Sequence, residues 1–229
     1  MKYTIGSSFY DKGRGGDTFR REFAQIWYHN TMAANPPPQR VIVVSEGGSR
    51  PFCAVGVDTL NLTGDLGHCH DLIERRKPHE FSSWSASMCL TALAAYDNET
   101  DFIYKEEDAL AFGDWVQRLY HDMGQADMAF GAKMKSPPWQ PCAQSLFIVR
   151  HSFIPKFVSM YLGMGGERER NNLGEAKFCR IESLLGAGKV RRHTLACDRE
   201  RPIPWDSGTF YFQQPTPAEL DEARRRNLI

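Results

Sequence analysis

The chain has 229 residues, with 28 Lys plus Arg balanced by 28 Asp plus Glu, so no global field favours nucleic acid or an anionic membrane and any phosphate recognition must be local. That length fits one large domain with a substantial core and would cramp two. The start "MKYTIGSSFYDKGRGGD" lacks the long apolar segment of a secretory signal, and no later window is apolar enough to span a membrane, so a soluble, cytoplasmic protein is expected.

In chain order, "KYTIGSSFY" begins as a strand and ends in small polar residues. The glycine-rich "DKGRGGD" follows as a loop, with Asp17 placed to cap a helix from about Thr18. On that helix Phe19, Phe23, Ile26 and Trp27 fall on one stripe, and the prolines of "NPPP" end it. "RVIVV", Arg40 to Val44, is the continuous β-branched run of a strand covered on both faces. "VDTLNLTGD", Val57 to Asp65, is a third strand candidate, "FSSWSASMCLTALAAY" a helix of small residues, and "DFIY" a further strand. Beyond it "ADMAFGA" and "SLFIVR" suggest strands and "IPKFVSMYLGM" and "EAKFCRIESLL" helices. "TFYFQQ" is a late strand, and a polar helix starts near Pro217. Strands alternating with helices imply crossovers and a mostly parallel α/β sheet in one domain over residues 1–229, with ligands collecting beyond the carboxyl ends of the strands.

Six cysteines (Cys53, Cys69, Cys89, Cys142, Cys179 and Cys197) are spread without a C-x-x-C pair. They indicate neither a zinc knuckle nor a disulfide framework, and read as small buried residues.

The stretch "TDFIYKEEDALAFGDW" sets three acids, Glu106, Glu107 and Asp108, at the end of an apolar strand. In extended backbone Glu106 and Asp108 would share one side and Glu107 the other. Two carboxylates together make a hard oxygen site suited to Mg²⁺ or Mn²⁺, which keeps positions open for water and substrate phosphate. The plain alternative is that the acids cap the next turn or pair with Lys105 and Arg118.

A small-residue helix leading into "DFIYKEEDAL" is similar to the GT-A glycosyltransferases, whose corresponding strand ends in a D-x-D or E-D-D type motif. Similarity in element order covers most of the chain, while about ten residues carry the motif and its first aspartate is replaced by Glu106. The resemblance implies that Glu106 and Asp108 hold Mn²⁺ or Mg²⁺ on the diphosphate of a nucleotide sugar. It further implies that the first strand's end, Ser7, Ser8 and Tyr10, with Phe9 as a rival for stacking on the base, seats the nucleotide. Glu46, Asp65 and Glu107 join them as donor-binding acids, and Arg75 of "ERRKPHE" is a diphosphate fork. For inverting transfer, Glu175 in "GGERERNNLGEAKF" is the first choice of base and Asp206 in "PIPWDSGTF" its rival.

Other signals fail on spacing. "LLGAGKV" has Ser183 and Val190 where a phosphate loop requires glycine and a hydroxyl residue, and "GRGGD" lacks the dinucleotide spacing. His68 and His70 in "GHCHD" have no third zinc ligand at a known spacing. His193 is a possible late metal ligand. "EARRRN" gives at most peripheral membrane contact. The leading expectation is a metal-dependent, hexosyltransferase-type enzyme moving a sugar from a UDP- or GDP-sugar to a carbohydrate or other hydroxyl acceptor, with no nucleic-acid partner. The alternatives are a nucleotidyltransferase with the same metal logic, for which Lys12 and Arg14 give a faint basic loop, and a noncatalytic nucleotide- or carbohydrate-binding module.

Overall fold

The computed structural model describes residues 1–9, 17–45, 56–62, 66, 81–132, 141–167 and 173–229, the side chains of 17–21 and 196–198 apart. The strands are β1 (Tyr3–Phe9), β2 (Arg40–Ser45), β3 (Val57–Asn61), β4 (Asp101–Lys105), β5 (Ala109–Phe112), β6 (Met128–Gly131), β7 (Ala143–Val149), β8 (Val190–His193), β9 (Ala196–Asp198) and β10 (Phe210–Gln213). The helices are α1 (Asp17–Met32), α2 (Ser83–Asp97), α3 (Trp115–Met123), α4 (Ile154–Gly163), α5 (Gly174–Leu185) and α6 (Pro217–Arg225).

Seven strands form one sheet in the order β3-β2-β1-β4-β7-β6-β8, and β5-β10-β9 form a smaller one. In the large sheet only β7 runs antiparallel to its neighbours. The mostly parallel α/β sheet expected from the order of elements is present.

The sheet is covered on both faces, which is why β1 and β7 are buried at every position, the polar Thr4, Ser7 and Ser8 of β1 and Gln144 and Ser145 of β7 included. Alternation divides the residues between two cores. Tyr3, Ile5, Ile103 and Ile148 meet Trp27 of α1, Trp115 of α3 and Phe212 of the small sheet. On the other face Phe102, Tyr104 and Phe147 meet Met88 of α2, Phe157 of α4 and Phe178 of α5. Phe147 is the hub of that second core, with ring centroids 5.4 Å from Tyr104 and 4.8 Å from Phe178. Such ring pairs add about 0.5–1.5 kcal/mol each beyond burial.

The small residues of α2 have a packing reason. A Cβ on Gly6 would lie 2.3 Å from Thr91 Oγ1 and 2.6 Å from Phe102 Cε2, so helix and strand meet where β1 carries no side chain. Ser82 caps the helix, accepting from the Ser85 amide at 3.3 Å. At the other end of the chain, Thr216 and Glu219 form a reciprocal capping box with Pro217 in the first turn of α6. Among the described residues no helix is long and apolar enough to cross a membrane.

Because β1, β2 and β4 are parallel, their last residues Phe9, Ser45 and Lys105 lie along one edge. Antiparallel β7 brings its first residues to that same edge: the Glu106 amide bonds the Ser145 carbonyl at 2.8 Å, and Ala143 lies opposite Gly131, the last residue of β6. The three acids therefore open on the carboxyl edge of the sheet.

Candidate active site

The acids are not in extended backbone. Glu107 and Asp108 form a turn, closed by the Ala109 amide on the Glu106 carbonyl at 3.0 Å. Side-chain alternation does not survive a turn, so the expectation that Glu107 points away from a convergent pair has lost its premise. The turn exists because the chain leaves the large sheet at Lys105 and enters the small one at Ala109, where Gln213 of β10 is its register partner.

Each acid is anchored by a different part of the chain. Ser8 Oγ, on the last turn of the β1 pleat, donates to Glu107 Oε2 at 2.8 Å, and Tyr104 OH donates to Ser8 Oγ at 3.3 Å. The Gln213 amide donates to Glu106 Oε2, while its own oxygen accepts from Arg199 Nε at 3.0 Å. The Asp108 carbonyl accepts from the Gln214 amide at 3.0 Å. All three acids are half-buried. The two cations named as partners in the plain alternative are engaged elsewhere: Lys105 Nζ turns inward to Asn30 Oδ1 at 2.6 Å and Thr31 Oγ1 at 2.9 Å, and Arg118 pairs with Asp122 at 3.0 Å. Burial drives the Lys105 amine well below its ordinary range.

Ser7 Oγ is engaged by the Lys105 carbonyl at 2.7 Å and fastens β1 to β4. Phe9, 5% exposed, belongs to the core and is not open to a base. Tyr10, Glu46, Asp65 and Arg75 lie outside the described residues, as do His68, His70, Lys12 and Arg14.

Glu175 sits in the first turn of α5, and its carbonyl lies 3.5 Å from Cys142 Sγ, just before β7 begins. It thus stands at the same edge as the acids. Trp84 connects the two groups, packing edge-on against Tyr104 at 5.4 Å and lying 3.0 Å from where a Cβ on Gly174 would sit. Asp206 is elsewhere. Its side chain is 96% exposed and pairs with Arg226 at 2.8 Å, in a loop whose Gly208 carbonyl would be 1.9 Å from a Cβ on Gly113. Gly113 follows the far end of β5, roughly 13 Å of strand from Asp108.

His193 ends β8 at this edge but serves the core. It is 1% exposed, with Nε2 2.9 Å from the Leu146 carbonyl, a partner that fixes the Nε2–H tautomer. Burial lowers its pKa to about 4, against the opposing pull of that carbonyl and of Asp122. A folded pKa below the unfolded 6.5 means that the unfolded chain takes up the proton first, so stability is complete above pH 6.5 and falls as pH drops towards 4. The loss is expected to reach about 3 kcal/mol. Urea unfolding of the wild type and of His193→Gln from pH 7.5 to 4 checks this, since the glutamine variant should lack that component.

Could the acids hold a metal? Their oxygens are the hard donors that Mg²⁺ and Mn²⁺ take. Among the described residues no group of three or more His, Cys, Asp or Glu is arranged as a metal site. Mg²⁺ is commonly held by only one or two carboxylates, with water and substrate phosphate as its other ligands.

Gln213 and Arg199 escaped the reading of the sequence. For Gln213 the signal was a pair of amides closing the apolar run "TFYFQQ", the same apolar-to-polar break that singled out the acids; Arg199 had none.

No protein-family model matches the chain, and no curated protein does. Solved structures do match in fold. A glycosyltransferase involved in glycosylation of the major capsid of PBCV-1 aligns over 100% of both chains with 11% identity and a TM-score of 0.56. An active-site mutant of LgtC aligns over 94% of this chain and 88% of its own, with 11% identity and a TM-score of 0.52. The 2-C-methyl-D-erythritol 4-phosphate cytidylyltransferase of Thermus thermophilus aligns over 100% and 98%, with 12% identity and a TM-score of 0.54. The chain spans 45% of the length of the Streptococcus pneumoniae glycosyltransferase GlyE. The fold is GT-A-like.

Proposed function

We propose that this chain, a GT-A-like fold read as one domain over residues 1–229, transfers a sugar of the hexosyl type from a UDP- or GDP-sugar to a hydroxyl of a carbohydrate or other acceptor. The observation that carries the proposal is the acidic turn Glu106–Asp108, held at the carboxyl edge between the end of β1 and the end of β10 by Ser8 and Gln213. Ligands of open α/β sheets gather at this edge.

Ser7, Ser8 and Glu107, together with Tyr10, Glu46, Asp65 and Arg75, make up the donor side in this reading. Arg199, one amide away from Glu106, adds a cation for the diphosphate. Glu106 and Asp108 are the residues that would hold Mn²⁺ or Mg²⁺, and the chemistry supplied there is neutralisation of charge on the departing nucleoside diphosphate. Glu175, reached from the acids through Tyr104 and Trp84, would take the acceptor's proton in this reading. Asp206, tied to Arg226 beyond the opposite end of β5, is the weaker candidate.

Nucleotidyl transfer is the second reading, favoured by the cytidylyltransferase likeness. It would direct the same edge at an α-phosphate. A noncatalytic nucleotide- or carbohydrate-binding module is the third.

A thermal-shift series with UDP, GDP, CMP and dTDP, each with and without Mn²⁺, tests the site. A nucleotide at a hundred times its Kd stabilises the folded state by about 2.7 kcal/mol, which in a chain of this size raises Tm by roughly 5–10 °C. UDP or GDP acting with Mn²⁺, followed by release of the diphosphate from the matching sugar donor, is the expected result. Pyrophosphate release from a triphosphate would favour the second reading and binding without turnover the third, while no shift with any nucleotide or metal would remove the first two and leave the noncatalytic module.

A further inference from the structure

Beside Glu175 lies a sulfur pair that the transfer reaction does not use. Cys142 is fully buried just before β7, and Cys179 is only partly buried, one turn after Glu175 on α5. Cys142 Sγ lies 3.5 Å from the carbonyl of Glu175, one helical turn before Cys179, and a single guanidinium reaches both Cys179 and the residue preceding Cys142. Arg192 of β8 completes the group. Its Nη2 lies 3.5 Å from Cys179 Sγ and 2.6 Å from Glu182 Oε2, its Nη1 reaches the Gly131 and Pro141 carbonyls at 3.1 and 3.5 Å, and its guanidinium lies 4.3 Å from the centre of the Phe130 ring. A cation locked by so many contacts stays next to the sulfur whether or not the thiol is ionised.

We propose that Cys142 and Cys179 form a peroxide-oxidised thiol pair, with Cys179 the attacking sulfur, Cys142 the resolving sulfur and Arg192 the cation that holds the thiolate. The roles follow from access and charge. Cys179 is open to a small oxidant and faces the guanidinium, whereas Cys142 is closed to solvent and can react only with its neighbour.

The chemistry balances with hydrogen peroxide as the oxidant. The Cys179 thiolate attacks one peroxide oxygen, an S–O bond forms, the O–O bond breaks, and the departing hydroxide takes a proton to become water. The Cys142 sulfur then attacks the resulting sulfenic acid, the S–S bond forms, and the S–O bond breaks. The second hydroxide takes the Cys142 proton. Two thiols and one peroxide yield one disulfide and two waters.

The titration of the pair agrees with these roles. The hydrogen bond from Cys142 is the largest influence lowering the Cys179 pKa to about 6; burial opposes it and Arg192 adds to it. The same hydrogen bond and burial push Cys142 upward. The groups facing Cys179 are Cys142 before β7, Arg192 on β8 and Glu182 on its own helix, while Glu175 acts on Cys142.

The disulfide would tie the start of β7 to the first turns of the helix that carries Glu175. The oxidation itself is independent of sugar transfer, so it can be tested whatever the enzyme acts on.

The test is peptide-resolved mass spectrometry of the reduced full chain after addition of one equivalent of hydrogen peroxide. A Cys142–Cys179 cross-linked peptide, lighter by two hydrogens and reversed by dithiothreitol, is expected, with buried Cys89 untouched. Cys142→Ser should trap Cys179 as its sulfenic acid, and Cys179→Ser should leave Cys142 unoxidised. In parallel, iodoacetamide labelling of wild-type Cys179 should show a midpoint near pH 6, moving up towards the ordinary thiol range in Arg192→Met. The proposal is overturned if Cys179 labels only above pH 8, or if peroxide leaves both thiols unlinked in the folded wild type.

Discussion

Asp108→Asn is expected to lower kcat/KM for sugar transfer about 10²–10³-fold, the usual cost of removing one charge-stabilising group from a transition state. The substitution keeps the volume of the side chain and the backbone contact between the Asp108 carbonyl and the Gln214 amide, so Tm should stay within about 2 °C. A loss carried by kcat, with KM for the acceptor unchanged, would mean that the carboxylate acts on charge developing in the transition state. Glu107→Gln provides the contrast. Its amide oxygen can still accept from Ser8 Oγ, which lies 2.8 Å from the native Oε2, so a smaller loss, expressed mainly in KM for the donor, is expected. Chelation should bring the wild type down to the level of Asp108→Asn and scarcely change the variant. Steady-state kinetics with the donor found by thermal shift decides the matter, and equal turnover by wild type and Asp108→Asn would sink the assignment of the acidic turn.

The largest effect on stability is expected at Glu167. This carboxylate is 1% exposed and lies against the start of α2, where it accepts from the Ser82 amide at 3.0 Å, from Tyr161 OH at 2.9 Å and from Ser85 Oγ. Negative charge at a helix N-terminus is favourable, and Lys177 lies close by, fully buried. Lys177 Nζ donates to the Gly165 carbonyl at 2.6 Å and sits 4.5 Å from the Tyr161 ring centre and 4.7 Å from that of Phe81. Burial lowers the Lys177 pKa, and Glu167 pulls it back up.

Removing the carboxylate strands three donors and leaves a buried cation without its counter-charge. Glu167→Ala should therefore cost about 3–5 kcal/mol, or roughly 10 °C in Tm. Glu167→Gln should cost less, because the amide oxygen can still cap the helix. Adding Lys177→Met to Glu167→Ala should recover part of the loss, since the stranded charge goes with it. Differential scanning calorimetry of the four proteins tests the account, and a Glu167→Ala midpoint within 2 °C of wild type would overturn it. Because α2 supplies Trp84 to the candidate site, donor binding should weaken together with the fold.

What could be read directly from the residues was whatever depended on local periodicity. The short apolar runs within β2, β4 and β7, residues 41–44, 102–104 and 146–149, mark strands covered on both faces, while β1 is buried throughout although Thr4, Ser7 and Ser8 interrupt it. The helices α1, α2, α4 and α5 were legible in the same way, as was the break from apolar to acidic at Glu106. β5, β8 and α3 were not singled out. Each is short, and β5 begins one residue after Asp108 with nothing to announce that its partner is β10, a hundred residues further on. The acidic turn shows the limit most plainly. Three acids in a row fix the charge, but the direction of each side chain depends on Ser8 and Gln213, which are 99 and 107 residues away from their partners.

Glu175 read as an acid at the start of a helix and Asp206 as one in a proline-rich loop, both open to the role of base, and only the tertiary packing put Asp206 beyond the far end of β5 and the start of the Glu175 helix beside Trp84. The cysteines 142 and 179 likewise read as filler until β7 and α5 packed together. Sequence determined which segments are apolar, where charge accumulates and hence the class of the fold, because those follow from each segment's own transfer from water. Tertiary structure alone decided which groups face one another, because the reach of a side chain is a few ångströms while the chain distance between partners here runs to a hundred residues.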